Sequence, residues 1–189
     1  MTLPHEIPAT GPSVVLAQAM QALVPVLTTE RLTLRAPRIE DFAAYARIAE
    51  QPSARFIFGE VPSRGHAWVD FGQLLATWIL RGHGIWTVEA EGCVQGFVLI
   101  GFEPGDDEPE LGFMFLPEAE GKSIAFEAAT AARDYAFGAL GLRTLVSYID
   151  HENTRSIALA TRLGGTRDRA AEKHDDTVTY RYIKEEARS

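Results

Sequence analysis

The stretch EPELGFMFLPEAEGKSIAFEAATAARDYA, Glu108 to Ala136, decides the fold. An apolar run over Pro109–Pro117 has the length and composition of a strand. A short turn with one glycine follows, Glu118-Ala119-Glu120-Gly121-Lys122-Ser123, and then an Ala-rich helix from Ile124 to Ala136. A strand feeding a turn and a helix start makes an anion site. The first backbone N–H groups of a helix have no partner inside it, and the macrodipole adds partial positive charge there, so a pyrophosphate is a natural guest.

Working outward, the chain alternates strand and helix patterns. Ser13 is expected to cap a short helix that Pro25 ends, forming an N-terminal extension over residues 1–27 after a loose Met1–Pro12. Arg31–Ala36 alternates as a half-buried strand, with Leu32 and Leu34 on one face. Ile39–Glu50 carries Phe42, Tyr45, Ala46 and Ala49 at helical spacing. Ser63 caps a second helix, which runs to Leu80 and stops at Gly82 and Gly84. Ile85–Ala90 and Val94–Phe102 read as a hairpin around Glu91-Gly92. Gly105-Asp106-Asp107 is a turn, Arg143–Asp150 a strand, Asn153–Leu163 a helix and Thr177–Lys184 the last strand. The order predicts an α/β (mixed α+β) domain over residues 28–189, with a mixed, mostly antiparallel sheet of about six to seven strands flanked by helices.

Composition sets bounds. With 189 residues and 46% hydrophobic content, one domain plus an extension is expected. A formal net charge of −8 argues against a nucleic-acid partner. The lone Cys93 rules out an internal disulfide and a cysteine-type zinc site, and no metal site is expected. The N-terminus lacks the pattern of a secretory signal, and no apolar run approaches the ~20 residues of a membrane span, so the expectation is a cytoplasmic protein without membrane contact. The apolar extension makes a homodimer one expectation.

Four pieces, in order, carry a family resemblance: Thr28–Arg35; Glu110-Leu111-Gly112-Phe113 with Pro117-Glu118; Gly121–Ala128; and Asn153–Ile157 through Leu163-Gly164-Gly165. Together they resemble the GNAT superfamily of acyl-CoA-dependent N-acetyltransferases, and more closely the branch that holds the ribosomal-protein N-terminal acetyltransferases. The resemblance implies an N-acetyltransferase that moves acetyl from acetyl-CoA, a cosubstrate, to a primary amine on a small molecule or a peptide N-terminus. The alternative is an inactive acyl-CoA-binding or sensing module.

It further implies that Phe113, Met114 and Phe115 offer backbone to the pantetheine arm. Gly121, Lys122, Ser123, Ile124 and Ala125 would bind the diphosphate, and Asn153 and Ser156 would sit beside the coenzyme. The family's phosphate loop usually reads Gln/Arg-x-x-Gly-x-Gly/Ala. Here Glu120 places an acid at the first position and Ser123 replaces a glycine, while Ala125 fits. A Walker A reading of Lys122-Ser123 fails, because Leu116 stands where that motif needs glycine.

Transfer needs a group that takes the proton of the ammonium and a donor for the departing thiolate. Glu110 is the expected base; a strand-end surface carboxylate is the plain alternative. Asn153 suits a helix N-cap as well as a coenzyme contact. Many family members carry an acidic Tyr one turn beyond Ser156, but Ala160 is there. That leaves Ser156, Tyr148 or ordered water as the acid, or a step that needs no protein acid. His151 as base and Cys93 as nucleophile are weaker alternatives, since a loop histidine is usually only solvated and Glu91 would raise the thiol pKa. Phe56–Glu60 and the second helix would line the acceptor cleft.

Overall fold

The computed structural model describes residues 3–172 and 176–185. Fourteen elements follow in order: α1 (Pro12–Gln21), β1 (Leu27–Thr28), β2 (Thr33–Arg35), α2 (Phe42–Ala49), α3 (Arg55–Phe58), α4 (Arg64–Arg81), β3 (Ile85–Ala90), β4 (Cys93–Gly101), β5 (Glu110–Phe115), α5 (Ile124–Gly138), β6 (Thr144–Asp150), α6 (Thr154–Arg162), β7 (Thr166–Arg167) and β8 (Thr177–Ile183). The strands form one sheet in the order β1-β2-β3-β4-β5-β6-β8-β7. Every pairing is antiparallel except β5 with β6, which α5 connects by a crossover.

The sheet divides two cores by the pleat of its strands. On one face Trp86, Val98, Ile100, Leu111 and Leu145 pack under Ala128, Ala129, Ala132 and Ala136 of α5. Those four alanines let the helix lie close to the strands. On the other face Ile85, Phe97, Leu99 and Met114 meet Phe42 and Tyr45 of α2 and Phe71 and Leu74 of α4. The β3–β4 hairpin turns through Glu91 and Gly92, both with positive φ, as a two-residue turn requires. The register slips between Val88 and Glu89, so Val88 faces Gly96 and Glu89 faces Val94. A Cβ on Gly96 would stand 2.4 Å from the Met114 carbonyl, so that position accepts glycine alone.

Several expectations need correction. The sheet has eight strands, more than the six to seven expected, because β1 and β7 are two residues each and too short to show alternation. The four-residue α3 escaped notice for the same reason. The first helix is capped at Gly11 with Pro12 at its first position; Ser13 instead donates to the Thr10 carbonyl, and the helix stops at Gln21, short of Pro25. The α2 helix begins at Phe42 after a 3-10 turn over Ile39–Asp41. Ser63 does cap α4, accepting from the His66 N–H at 3.2 Å. Within Met1–Pro12, Met1 and Thr2 lie outside the described residues. The segment is not loose throughout, since Glu6 is buried against Arg64 at 2.7 Å. By contrast α1 buries none of its residues, and its Val15 and Leu16 are 70% and 67% exposed.

Arg35 breaks the alternation of β2. It is only 8% exposed and spends its guanidinium on Asp41 (2.7 and 2.9 Å) and Glu89 (2.6 Å). Asp41 also accepts from the Arg38 N–H and the Thr87 hydroxyl, so its oxygens are fully used. Removing one partner of such a pair strands the other charge away from water. Asp41→Ala is therefore expected to cost about 3–5 kcal/mol, read as a shifted urea midpoint.

Candidate active site

The β5–β6 pair is bonded in register at one position, Glu110 with Val146, after which the two parallel strands part. Just past that point the Ser147 hydroxyl, 2.6 Å from the Leu111 carbonyl, takes up a polar group at the parting. A cavity of about 400 Å³ opens there. Its wall includes Glu110, Gly112, Phe113 and Met114 of β5, Tyr148 of β6, and Asn153 and Ser156 at the start of α6. Phe56, Ile57 and Phe58 of α3 and Asp70 and Leu74 of α4 close it from the other side.

Glu110 belongs to this wall and accepts from the Tyr148 N–H at 3.2 Å. The residue is half-buried at the cavity wall. Burial pushes its pKa up to about 8, helped by the nearby charges of Asp106 and Glu103 and opposed by the Tyr148 hydrogen bond. A carboxylate tuned this way takes a proton readily near neutral pH. The Asn153 side chain caps α6, accepting from the Ser156 N–H at 3.2 Å, so the cap reading holds. Ala160 is fully buried against the core and adds no acid.

The sequence-predicted residues fall into two groups. Glu110, Phe113, Met114, Asn153 and Ser156 share the cavity wall. Phe115, Gly121, Lys122, Ser123, Ile124 and Ala125 lie outside it. By alternation Phe113 and Phe115 pack toward the α5 core and Met114 toward the α2–α4 core, so β5 has backbone rather than side chains to offer along its parted edge. His151 is exposed, its ring nitrogen 3.0 Å from the Asp176 carbonyl, and Cys93 is exposed at the start of β4. Neither lines the cavity.

The turn before α5 has its own geometry. Gly121 and Ser123 both have positive φ, at 71° and 60°. Ser123 holds the left-handed conformation that glycine takes without penalty, at about 1–2 kcal/mol, and makes no side-chain capping bond. The opening amides of α5 therefore keep no side-chain acceptor of this kind. The Thr29–Arg31 loop fixes the turn from behind. Arg31 donates to the Lys122 carbonyl at 3.2 Å and to Glu127 at 2.6 and 2.8 Å, and Thr29 donates to Glu127 at 2.5 Å. Burial would raise the Glu127 pKa, but these hydrogen bonds hold it below the usual carboxylate value. Glu120, the acid in the turn, is paired with Arg155 of α6. Its charge has a counter-ion at the site itself.

Three acidic residues of the cavity were not singled out from the sequence: Asp70, on the helix expected to line the acceptor cleft, and Glu103 and Asp106. Asp70 did leave a signal, since it stands among the buried Ala67, Phe71 and Leu74 on the inward stripe of α4. Glu103 and Asp106 left none, because they sit in a loop that any turn chemistry would explain.

Residues 31–166 match the family described as Acetyltransferase (GNAT) domain. The chain belongs to that family. An acetyltransferase from Agrobacterium tumefaciens C58 shares its fold at a TM-score of 0.80 and 38% identity, covering 85% of this chain and 95% of that one. The ribosomal α-N-protein acetyltransferase RimL, in complex with coenzyme A, superposes at a TM-score of 0.67 over 84% of this chain and 98% of that one. At 17% identity that likeness is one of fold. Spermidine N(1)-acetyltransferase of Escherichia coli K12 is 35% identical over 78 residues, which span 41% of this chain and 42% of that enzyme.

The raised pKa of Glu110 links the site to stability. Between the ordinary carboxylate value of 4.5 and about 8 the folded chain holds a proton that the unfolded chain has lost. This residue's contribution to stability therefore falls as pH rises through that window. Glu110→Gln should flatten the fall. The difference in urea midpoint between variant and native protein is expected to grow in the variant's favour from pH 5 to pH 9, with no growth at all contradicting the burial of this carboxyl.

Proposed function

We propose that the protein is an acetyl-CoA-dependent N-acetyltransferase acting on a primary amine. The observation that carries this reading is Glu110, enclosed on the wall of a cavity that begins where β5 leaves β6. Family membership supports the acyl donor, and neighbours of the same fold were solved with coenzyme A or acetyl-CoA.

The donor fits the residues present. The parted edge of β5, from Gly112 to Phe115, suits a peptide-like arm that bonds as an added strand would. The amides of Gly121, Lys122, Ser123, Ile124 and Ala125 suit a diphosphate, with the Glu120 charge met by Arg155. Asn153 and Ser156 face the same cavity from α6. In the reaction the acceptor nitrogen bonds to the acetyl carbon, the carbon–sulfur bond breaks and the proton leaves the nitrogen. Glu110 takes that proton. Ser156, whose side chain lines the same cavity from α6, returns one to the departing sulfur. Of the three residues that favour the sensing-module reading, Glu120 is paired with Arg155, while Ser123 and Ala160 stand as the sequence has them.

Thiol release from acetyl-CoA should be stimulated by primary amines and not by tertiary ones, and no stimulation across a broad amine panel would sink the reading. Glu110→Gln should lower kcat about 10²–10⁴-fold while leaving CoA binding intact. Arg155→Gln should act oppositely, raising the KM for acetyl-CoA several-fold by exposing the anion site to the unpaired Glu120, with kcat nearly kept. An unchanged KM would show that the diphosphate lies elsewhere.

A further inference from the structure

The cavity is charged far beyond what one proton transfer needs. Asp70, Glu103, Asp106 and Glu110 all line it, and among the described residues that line it there is no lysine, arginine or histidine. Glu103 stands within reach of the charges of both Asp70 and Asp106, and Glu110 within reach of Asp106 and Glu103. Burial raises the Glu103 pKa first, and the charges of Asp70 and Asp106 raise it further. Burial likewise raises Asp70.

Their oxygens are not equally committed. Asp106 accepts from the Glu103 N–H at 2.6 Å and so closes the β4–β5 turn. Asp70 accepts from the buried Tyr45 hydroxyl. Glu110 has the Tyr148 N–H. The Glu103 carboxylate has no hydrogen bond or ion pair among the described residues, although most of it is withdrawn from water. A half-buried carboxylate with two like charges beside it and no cation of its own is costly to hold, and a positively charged guest removes that cost. Leu74 and Leu99 supply an apolar wall in the same cavity, suited to a short methylene spacer.

Resting on the transferase reading above, we infer that Glu103, with Asp70 beside it, is the specificity determinant of this enzyme: the pair holds a second protonated nitrogen of the acceptor while the reacting amine faces Glu110. The acceptor class is an amine with two cationic centres. Two sources share that chemistry, an aliphatic diamine and a peptide whose N-terminus is followed by a basic side chain.

The test compares isosteric acceptors. Putrescine is set against pentylamine, and an alanyl-lysine amide against an alanyl-norleucine amide, with kcat/KM measured for the native enzyme and for Glu103→Gln. In at least one pair the dication should be preferred by about tenfold or more, and the pair in which this happens names the source. Glu103→Gln should bring that ratio close to one, mainly through KM. Equal use of both members in both pairs, or a preference that survives in Glu103→Gln, overturns the inference. Should the variant not fold, calorimetry on the native protein decides: putrescine or the lysine peptide must bind at least several-fold more tightly than its singly charged counterpart, and equal binding overturns the inference. That readout needs no turnover. A protein that binds dications selectively but transfers no acetyl defeats only the transferase reading; one that transfers acetyl without charge preference defeats only this one.

Discussion

The structure turns on the parting of two parallel strands. A parallel pair in the middle of a sheet normally bonds along its whole length, since every unbonded backbone group inside a protein carries a desolvation penalty. Here β5 and β6 hold one rung and separate. The Ser147 hydroxyl donates to one buried carbonyl at the fork, that of Leu111, and beyond it β5 has no further rung with β6. The wedge is kept by what lies on either side. On one face α5 is seated on the strands by a line of alanines; on the other, Phe42, Tyr45, Phe71 and Leu74 hold α2 and α4 against the sheet.

Electrostatics divides the site into two ends of opposite character. Toward α5, each of two carboxylates has an arginine: Glu127 has Arg31, with the Thr29 hydroxyl as a further donor, and Glu120 has Arg155. What remains there is the positive end of a helix and a turn rich in backbone donors. Toward α4 and the β4–β5 loop, carboxylates gather without basic residues among the described lining. An anionic donor and a cationic acceptor would approach such a site from different ends and meet where Glu110 sits between them. Burial raises the pKa of Glu110, and two members of the same cluster, Asp106 and Glu103, raise it further.

The elements most legible in the sequence were those with long periodic patterns. The Ala-rich α5, the Ser63 cap of α4, the β3–β4 hairpin around Glu91-Gly92 and the Asn153 cap of α6 each carry a local chemical signal that survives folding. Elements of two to four residues, β1, β7 and α3, carry none, because periodicity needs more than one repeat to be seen. Arg35 misled for a different reason: a charged residue in an alternating strand reads as outward-facing, and only the presence of Asp41 and Glu89 makes its burial tolerable.

By itself the sequence determined the alternation of strands and helices, the crossover at α5 and the candidacy of Glu110, because these follow from local patterns and from one recognisable order of motifs. Only the tertiary structure decided which carboxylates share a cavity. Asp70 comes from a helix, Glu103 from a loop and Glu110 from a strand, and nothing in their spacing brings them together. Their common environment is created by the packing of α4 against the sheet and by the fork of β5 and β6. Proximity of like charges is a property of the folded surface, and a linear chain holds no record of it.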